Sequence, residues 1–318
     1  MKCAGMKKNL EIEFLHREEI DCKRWNATID NAFNGSIYAY SWYLDVVSPN
    51  WGALATNDYS YLFPLPIKRK YGINYIVQPL HCQQLGLFST NHISADIVDL
   101  FIDQIPAKFK YVDLNLNIHN KTNKHTGHIN KRKTYMLDLL NYNEQVFRNY
   151  NQNTKRNIFK AIANEFTLTT TLNPVDFMKF YRQYGFMVNR KKDVIVIEKL
   201  IESLLTHNKA TIAGVTDRNN KLCAVALFAE SHNTLHYLLG SAEPENKKKG
   251  VMFYLMDGVI KNHCGMDKVL DFEGSMILSI ARFFSGFGAK PCTYFNYHRN
   301  SLPAGEALVS IKQKLKLI

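Results

Sequence analysis

The chain has 318 residues, 46% of them hydrophobic and 21% charged, with a formal net charge of +12. Such proportions exclude a disordered chain, and no apolar run approaches the roughly 20 residues of a membrane-spanning helix. The length allows two domains of ordinary size, and the excess of Lys and Arg suits a partner that carries phosphate or another acidic group.

The opening stretch MKCAGMKKNLEIEF lacks the apolar core of a signal peptide, so a cytoplasmic location is expected. Residues 11–15 form a candidate strand. A helical pattern follows over 18–33, through Ile20, Trp25, Ile29 and Phe33. Ser41 is a candidate N-cap for a short helix carrying Trp42, Leu44 and Val47. Strands are expected at 51–56, 59–67 and 73–80. The turns at Asn57-Asp58 and at Gly72 arrange them as an antiparallel meander. Pro64 and Pro66 mark the middle strand as irregular or as an edge. After a loop at 81–90, Ser94 can cap a helix through Ile97, Leu100, Phe101 and Ile105. Val112, Leu114 and Leu116 then alternate as a strand. Residues 117–134 are polar, basic and unpatterned, which predicts a loop, and 135–139 is a short strand.

A basic helical stretch spans 144–164. Arg148, Lys155, Arg156 and Lys160 fall outside, with Val146, Phe147, Ile158, Phe159 and Ile162 inside. The domain boundary is expected within 141–154. Beyond it, the pattern predicts a strand at 166–172, then a helix capped by Asn173 with Pro174 at its first position. Asp193 caps a second helix. Strands follow at 211–215, 222–230 and 234–240. A lysine-rich turn with Gly250 leads into a helix over 251–264. Val269, Leu270 and Phe272 make a strand that Gly274 breaks. Ile277, Ile280, Ala281, Phe283, Phe284 and Phe287 recur at helical spacing, Gly286 and Gly288 end that helix, and Pro291 opens a last strand.

The six cysteines are scattered, with no C-x-x-C pair, so buried free thiols are expected and no metal site. Gly274-Ser275 lacks the second glycine of a nucleophile elbow, which excludes a serine hydrolase of that type. A glycine turn entering a helix, as at 246–253, leaves backbone N–H groups free for phosphate, and three lysines stand beside it.

The second half thus reads strand, two helices, three antiparallel strands, helix, strand, helix, strand. That order resembles the GNAT acyltransferase fold, and the first half gives a similar order. Two local motifs agree. Asn153-Thr154-Lys155-Arg156-Asn157-Ile158 with Lys160-Ala161 is similar to the basic helix that precedes the second half of Fem-type proteins. Asp271-Phe272, Gly274, Arg282-Phe283 and Gly286-Phe287-Gly288 resemble the D-F-x-G…R-F-K-x-G-F-G signature of the Fem family of aminoacyl and peptidoglycan-bridge transferases. The lysine usual in that signature is absent, with Phe284 and Ser285 in its place. The GNAT phosphate-loop pattern survives as Gly250, with Met252 where a small residue is usual.

The resemblance implies an α/β fold of the α+β kind: two tandem GNAT-like halves, each a mixed, mostly antiparallel sheet flanked by helices. The halves are expected at 1–145 and 146–300, with 301–318 a helix packing back on the first. It further implies an N-acyltransferase that moves an acyl group from acyl-CoA to a small-molecule or peptide amine. An aminoacyl-tRNA-dependent Fem-like transferase is the alternative, and a non-catalytic nucleic-acid binder on the same fold is another. The implied donor seat is Leu238, Leu239 and Gly240 for a pantetheine arm, with Lys248, Lys249, Gly250, Val251 and Met252 for its pyrophosphate. Acyl transfer needs a base for the amine proton. Glu273 is preferred and Asp271 is the alternative, the latter serving equally as a structural cap. Arg282 would hold an acceptor carboxylate or pair with Glu273. Tyr254 would protonate the leaving thiolate, or is simply core.

Overall fold

Element boundaries fall mostly where capping residues and prolines put them. The structure is a computed structural model that describes residues 10–70, 72–124, 128–185, 191–274 and 276–302. The expected C-terminal helix lies outside these. The chain divides into two compact units, one of Met1–Asn130 with Phe295–Ile318 and one of Lys131–Tyr294. The sequence-based boundary at 145/146 falls inside the second unit.

Unit 1 runs β1 (Ile12–His16), α1 (Cys22–Asn31), α2 (Ser41–Val47), β2 (Gly52–Thr56), β3 (Tyr61–Leu65), β4 (Ile67–Lys70), β5 (Ile73–Val77), β6 (Phe88–Ser89), α3 (Ala95–Asp103) and β7 (Tyr111–Asn115). Asp21 caps α1, accepting from the N–H groups of Lys23 and Arg24 at 3.0 and 3.1 Å, and Ser94 caps α3 as expected. Ser41 is the first helical residue of α2 rather than its cap. Strands β1, β2, β3 and β6 form one antiparallel sheet in that order. The strand expected over 59–67 is two strands. Pro66 supplies no N–H to a ladder, and the chain changes partner there: β3 pairs with β2, while β4 pairs with β5. β5 is parallel to β7. Trp25 and Trp51, both fully buried, meet edge to face at 4.9 Å in the core of this unit.

Unit 2 contains β8 (Ile129–Asp138, its first two residues in unit 1), α4 (Asn143–Arg148), α5 (Gln152–Ile162), β9 (Thr167–Thr169), α6 (Pro174–Tyr184), α7 (Lys191–Thr206), β10 (Ala210–Thr216), β11 (Leu222–Ser231), β12 (Thr234–Ala242), α8 (Pro244–Lys247), α9 (Val251–His263), β13 (Val269–Asp271) and α10 (Leu278–Gly286). A last strand, β14 (Lys290–Asn300), begins in unit 2, and from Asn296 it pairs antiparallel with β7 in unit 1. β9 to β12 are antiparallel neighbours, β12 and β13 are parallel, and β13 is antiparallel to β8. The basic segment read as a loop up to residue 134 is therefore strand from Ile129 onward. From Asn130 to Thr134 it is polar on both faces, so it carries no hydrophobic period there. Cys22, Cys82, Cys223, Cys264 and Cys292 are free. Among the described residues, no helix is long and apolar enough to cross a membrane.

Helix α5 docks on glycines. It buries Thr154, Ile158 and Ala161, spaced for one face. Phe159 and Ile162, expected inside, are 59% and 51% exposed. They lie on the neighbouring face because the contact is made by small residues at close range. A Cβ on Gly250 would overlap the carbonyl oxygen of Asn157, and one on Gly286 would overlap the Thr154 hydroxyl. Gly250 also has φ +84, in the left-handed region that glycine adopts freely. Gly250→Ala thus meets both strain and a clash with backbone. It is expected to destabilise unit 2 by about 2 kcal/mol or more. Gly265, at φ +80, has nothing nearer than 3.8 Å to an added Cβ. Gly265→Ala should cost only the conformational part, about 1 kcal/mol. Urea unfolding midpoints of the two variants test the difference.

Candidate functional site

β12 and β13 run parallel for three paired residues, Thr234–Val269, Leu235–Leu270 and His236–Asp271. β13 then stops, while β12 continues to Ala242 with β11 as its ladder partner. Leu238 is an extra residue there, because Leu227 faces Leu239 and Phe228 faces Tyr237. The strands therefore part at the carboxyl end of β13, the position where parallel strands of α/β sheets present ligand-binding groups.

Asp271 closes that end and is buried, with 2% of its surface exposed. The Thr134 hydroxyl donates to its Oδ1, and so does the Glu273 N–H at 2.9 Å. Its Oδ2 lies 3.9 Å from Nδ1 of buried His236. Desolvation pushes the Asp271 carboxyl up to about 6, against the two hydrogen bonds, which favour the charged form. Desolvation also pushes His236 down to about 3, so both groups are driven toward neutrality. Glu273 has φ +58. That conformation is strained for a residue with a Cβ, and such strain gathers at functional positions. Its side chain is half-buried.

A cavity of about 550 Å³ reaches Tyr135 on β8, the strand paired with β13, and is not lined by Asp271, His236 or Glu273 themselves. One wall is α10, with Leu278, Ala281, Arg282 and Phe283. The others are Asn151 and Asn153 at the start of α5, Phe253 of α9 and Tyr135 of β8. Tyr135 follows Thr134, and its carbonyl accepts the Phe272 N–H at 2.9 Å. The cavity therefore shares strand neighbours with Asp271. Phe284, which stands where the Fem signature has lysine, is buried and packs on Phe272 at 4.9 Å and near Tyr135 and Tyr237. At the turn into α10 the expected apolar face divides. Ala281, Phe284 and Phe287 are buried, while Ile277 and Ile280 are exposed.

The remaining sequence-derived candidates lie on β12, on the turn into α9, on α9 and on α10. Leu238 and Leu239 are buried on β12, and the Tyr237 side chain lies along Gly240, where a Cβ would strike its hydroxyl. Lys248 and Lys249 are exposed, and Lys249 lines a separate polar cavity of about 340 Å³ with Asp217 and Arg218. Gly250 and Val251 are buried, and Met252 and Tyr254 are half-buried against the unit 2 core. Arg282 is exposed on the cavity wall. Thr134, Tyr135 and His236 enter the site from strands. The first was hidden inside the presumed loop, and an isolated His on a buried strand carries no sequence signal beyond that of a core residue. Among the described residues no group of His, Cys, Asp and Glu could hold a metal ion.

Asp271 and His236 give opposite pH dependences. Unfolded, Asp271 titrates near 3.8, so its contribution to stability is present below that and is lost as pH rises through about 6. His236, with its native value near 3 against 6.5 unfolded, contributes above 6.5, and this is lost as pH falls toward 3. Asp271→Asn keeps an acceptor for Thr134 and Glu273 and removes the first slope. Relative to wild type, the variant should gain stability from about pH 4 to about pH 6, by about 3 kcal/mol, and stay level above. Urea unfolding across that range measures it.

No family model matches the sequence, and no curated protein matches it. Solved structures do. One titled FemX superposes with a TM-score of 0.62 at 12% identity, over 90% of this chain and 97% of that one. The C-terminal domain of a putative lysylphosphatidylglycerol synthetase from Agrobacterium fabrum gives 0.56 at 8% identity, over 93% and 96%. L-PGS from Bacillus licheniformis gives 0.54 at 9% identity, over 88% and 92%. At these identities the likeness is one of fold, and this chain shares its fold with FemX and with the C-terminal domain of the lysylphosphatidylglycerol synthetase.

Proposed function

We propose that this protein is an acyltransferase whose chemistry lies in unit 2 and which acylates an amine. The observation that carries the reading is the parting of β12 from β13 at a buried carboxylate, with Glu273 held in a left-handed turn two residues beyond. The amine nitrogen attacks the acyl carbonyl of an activated donor. Glu273 accepts the amine proton, the amide C–N bond forms, the donor's C–S or C–O bond breaks, Tyr254 gives its hydroxyl proton to the leaving group, and the proton held by Glu273 returns through solvent to restore the tyrosine. Asp271, through its hydrogen bond to the Glu273 N–H, positions the base. Tyr254, on α9, is the proposed proton donor to the leaving group.

Acyl-CoA is the first donor class to test, because the unpaired edge of β12 beyond His236 is suited to receive a pantetheine arm. Leu238, Leu239 and Gly240 would line it, with Lys248, Lys249, Gly250, Val251 and Met252 toward the pyrophosphate. Aminoacyl-tRNA is the second reading. It is favoured by Tyr237 lying along Gly240 and by α5 lying over Gly250, which leave less room for a CoA arm and its diphosphate.

A donor that binds only the native state raises the melting temperature, worth roughly 2.7 kcal/mol at a hundredfold excess over its Kd. A concentration-dependent shift with acetyl-CoA or longer acyl-CoAs is expected under the first reading. A shift with aminoacyl-tRNA and none with any CoA moves the donor to the second. In either case Glu273→Gln should lower kcat about 10²- to 10⁴-fold and leave the donor-induced shift in place. Unchanged turnover in that variant removes Glu273 as the base.

A further inference from the structure

Arg282 is the charged group among the described residues that line the 550 Å³ cavity. It is exposed and makes no ion pair among the described residues. Around it the walls are largely apolar: Tyr135, Phe253, Leu278, Ala281 and Phe283. Leu278 is 73% exposed, and Ile277 beside it is 60% exposed. Large apolar side chains standing together in water, around a concave surface, mark a binding site more often than a plain surface. Phe253 and Phe283 meet edge to face at 4.8 Å, so the floor is a fixed aromatic corner. Asn153, at the rim, is already engaged. Its Oδ1 accepts from Arg156 Nη2 at 2.8 Å and from Asn157 at 3.2 Å. The Asn151 side chain accepts from the Thr154 N–H at 2.8 Å. Ser279 and Ser285 add hydroxyls to the lining, and the guanidinium is its one charged group among the described residues, with donors that match a carboxylate in a fork geometry.

We propose that this cavity takes the acceptor, and that the acceptor is an amine with an apolar body and a single carboxylate, an apolar amino acid in the simplest case. The carboxylate pairs with Arg282. The body lies on Phe253, Phe283 and Leu278. The amine is left to face the β13 end, on the side where Tyr135 adjoins Thr134 and Asp271. This rests on the transferase reading for its chemistry, but not for its binding step. A cationic or strongly polar amine finds one positive charge and apolar walls there, and is disfavoured.

The test is calorimetric titration of the full chain, without any donor, using three probes that share one body. Phenylalanine carries both amine and carboxylate, hydrocinnamate lacks the amine, and phenethylamine lacks the carboxylate. Phenylalanine and hydrocinnamate are expected to bind at least tenfold more tightly than phenethylamine. Arg282→Gln should erase that tenfold preference while leaving phenethylamine unchanged. Leu278→Ser should weaken all three. Because Arg282 and Leu278 are exposed, both variants are expected to fold, and their melting temperatures check it. Equal affinity for phenylalanine and phenethylamine, a preference that survives Arg282→Gln, or binding of none of the three overturns the proposal. Arg282-dependent binding of phenylalanine without its acylation by any donor would retire the transferase reading and keep the cavity. Acylation of amines that lack a carboxylate, with phenylalanine unbound, would do the reverse.

Discussion

Close approach of one helix to the backbone of its neighbours is the constraint on which unit 2 depends. Helix α5 reaches α9 through Gly250 and α10 through Gly286, and the Asn151 N–H donates to the Gly286 carbonyl at 2.9 Å. Side chains at either glycine would hold the helices apart. The consequence runs beyond stability. Asn151 and Asn153 form one wall of the cavity and α10 another, so its shape is set by the same close contact. The start of α9, a helix end with unpaired N–H groups by its nature, also has α5 laid against it.

A second dependence is electrostatic. A carboxylate and an imidazole 3.9 Å apart, both buried, would ordinarily form an ion pair. Here desolvation outweighs that attraction and shifts each toward its neutral form. Above about pH 6 the Asp271 charge survives because the Thr134 hydroxyl and the Glu273 N–H both donate to the same oxygen. Hydrogen bonds to a charged acceptor are stronger than neutral ones. That strength is of the size needed to hold Glu273 at positive φ, a conformation costing about 1–2 kcal/mol. The buried carboxylate thus acts on the turn, and the turn presents Glu273.

Much of this was legible in the sequence, for identifiable reasons. Asn173-Pro174 and Ser94 announced helix starts through local capping chemistry. The order of elements in the second half followed from clean periodicity. The two motifs, at 153–161 and 271–288, were visible as motifs. Their meeting was not, because contact between Thr154 and Gly286 depends on packing across 132 positions of sequence. Only the second part of β8 was legible, at 135–138; its first part, 129–134, read as loop because a strand with polar residues on both faces has no period to read. Phe159 and Ile162 were placed inside because apolar residues at helical spacing normally face the core. Here glycine surfaces, which have no hydropathy signature, took the contact instead.

Phe284 brings these threads together. A lysine at that position would put an ammonium group in a pocket walled by Phe272, Tyr135 and Tyr237, where desolvation would strip its charge or expel it. Phenylalanine instead fills the pocket and contributes about 1.5–3 kcal/mol by its burial. The positive charge nearest in sequence is then Arg282, which points to the cavity rather than to the core. Compared with the signature it resembles, this chain lacks the cation at the lysine position and keeps one on the cavity wall two residues earlier on α10. A guanidinium there is solvated and forked. Its arrangement suits recognition of an anionic ligand group better than it suits stabilising charge at the buried end of β13, where Asp271 and Glu273 already stand.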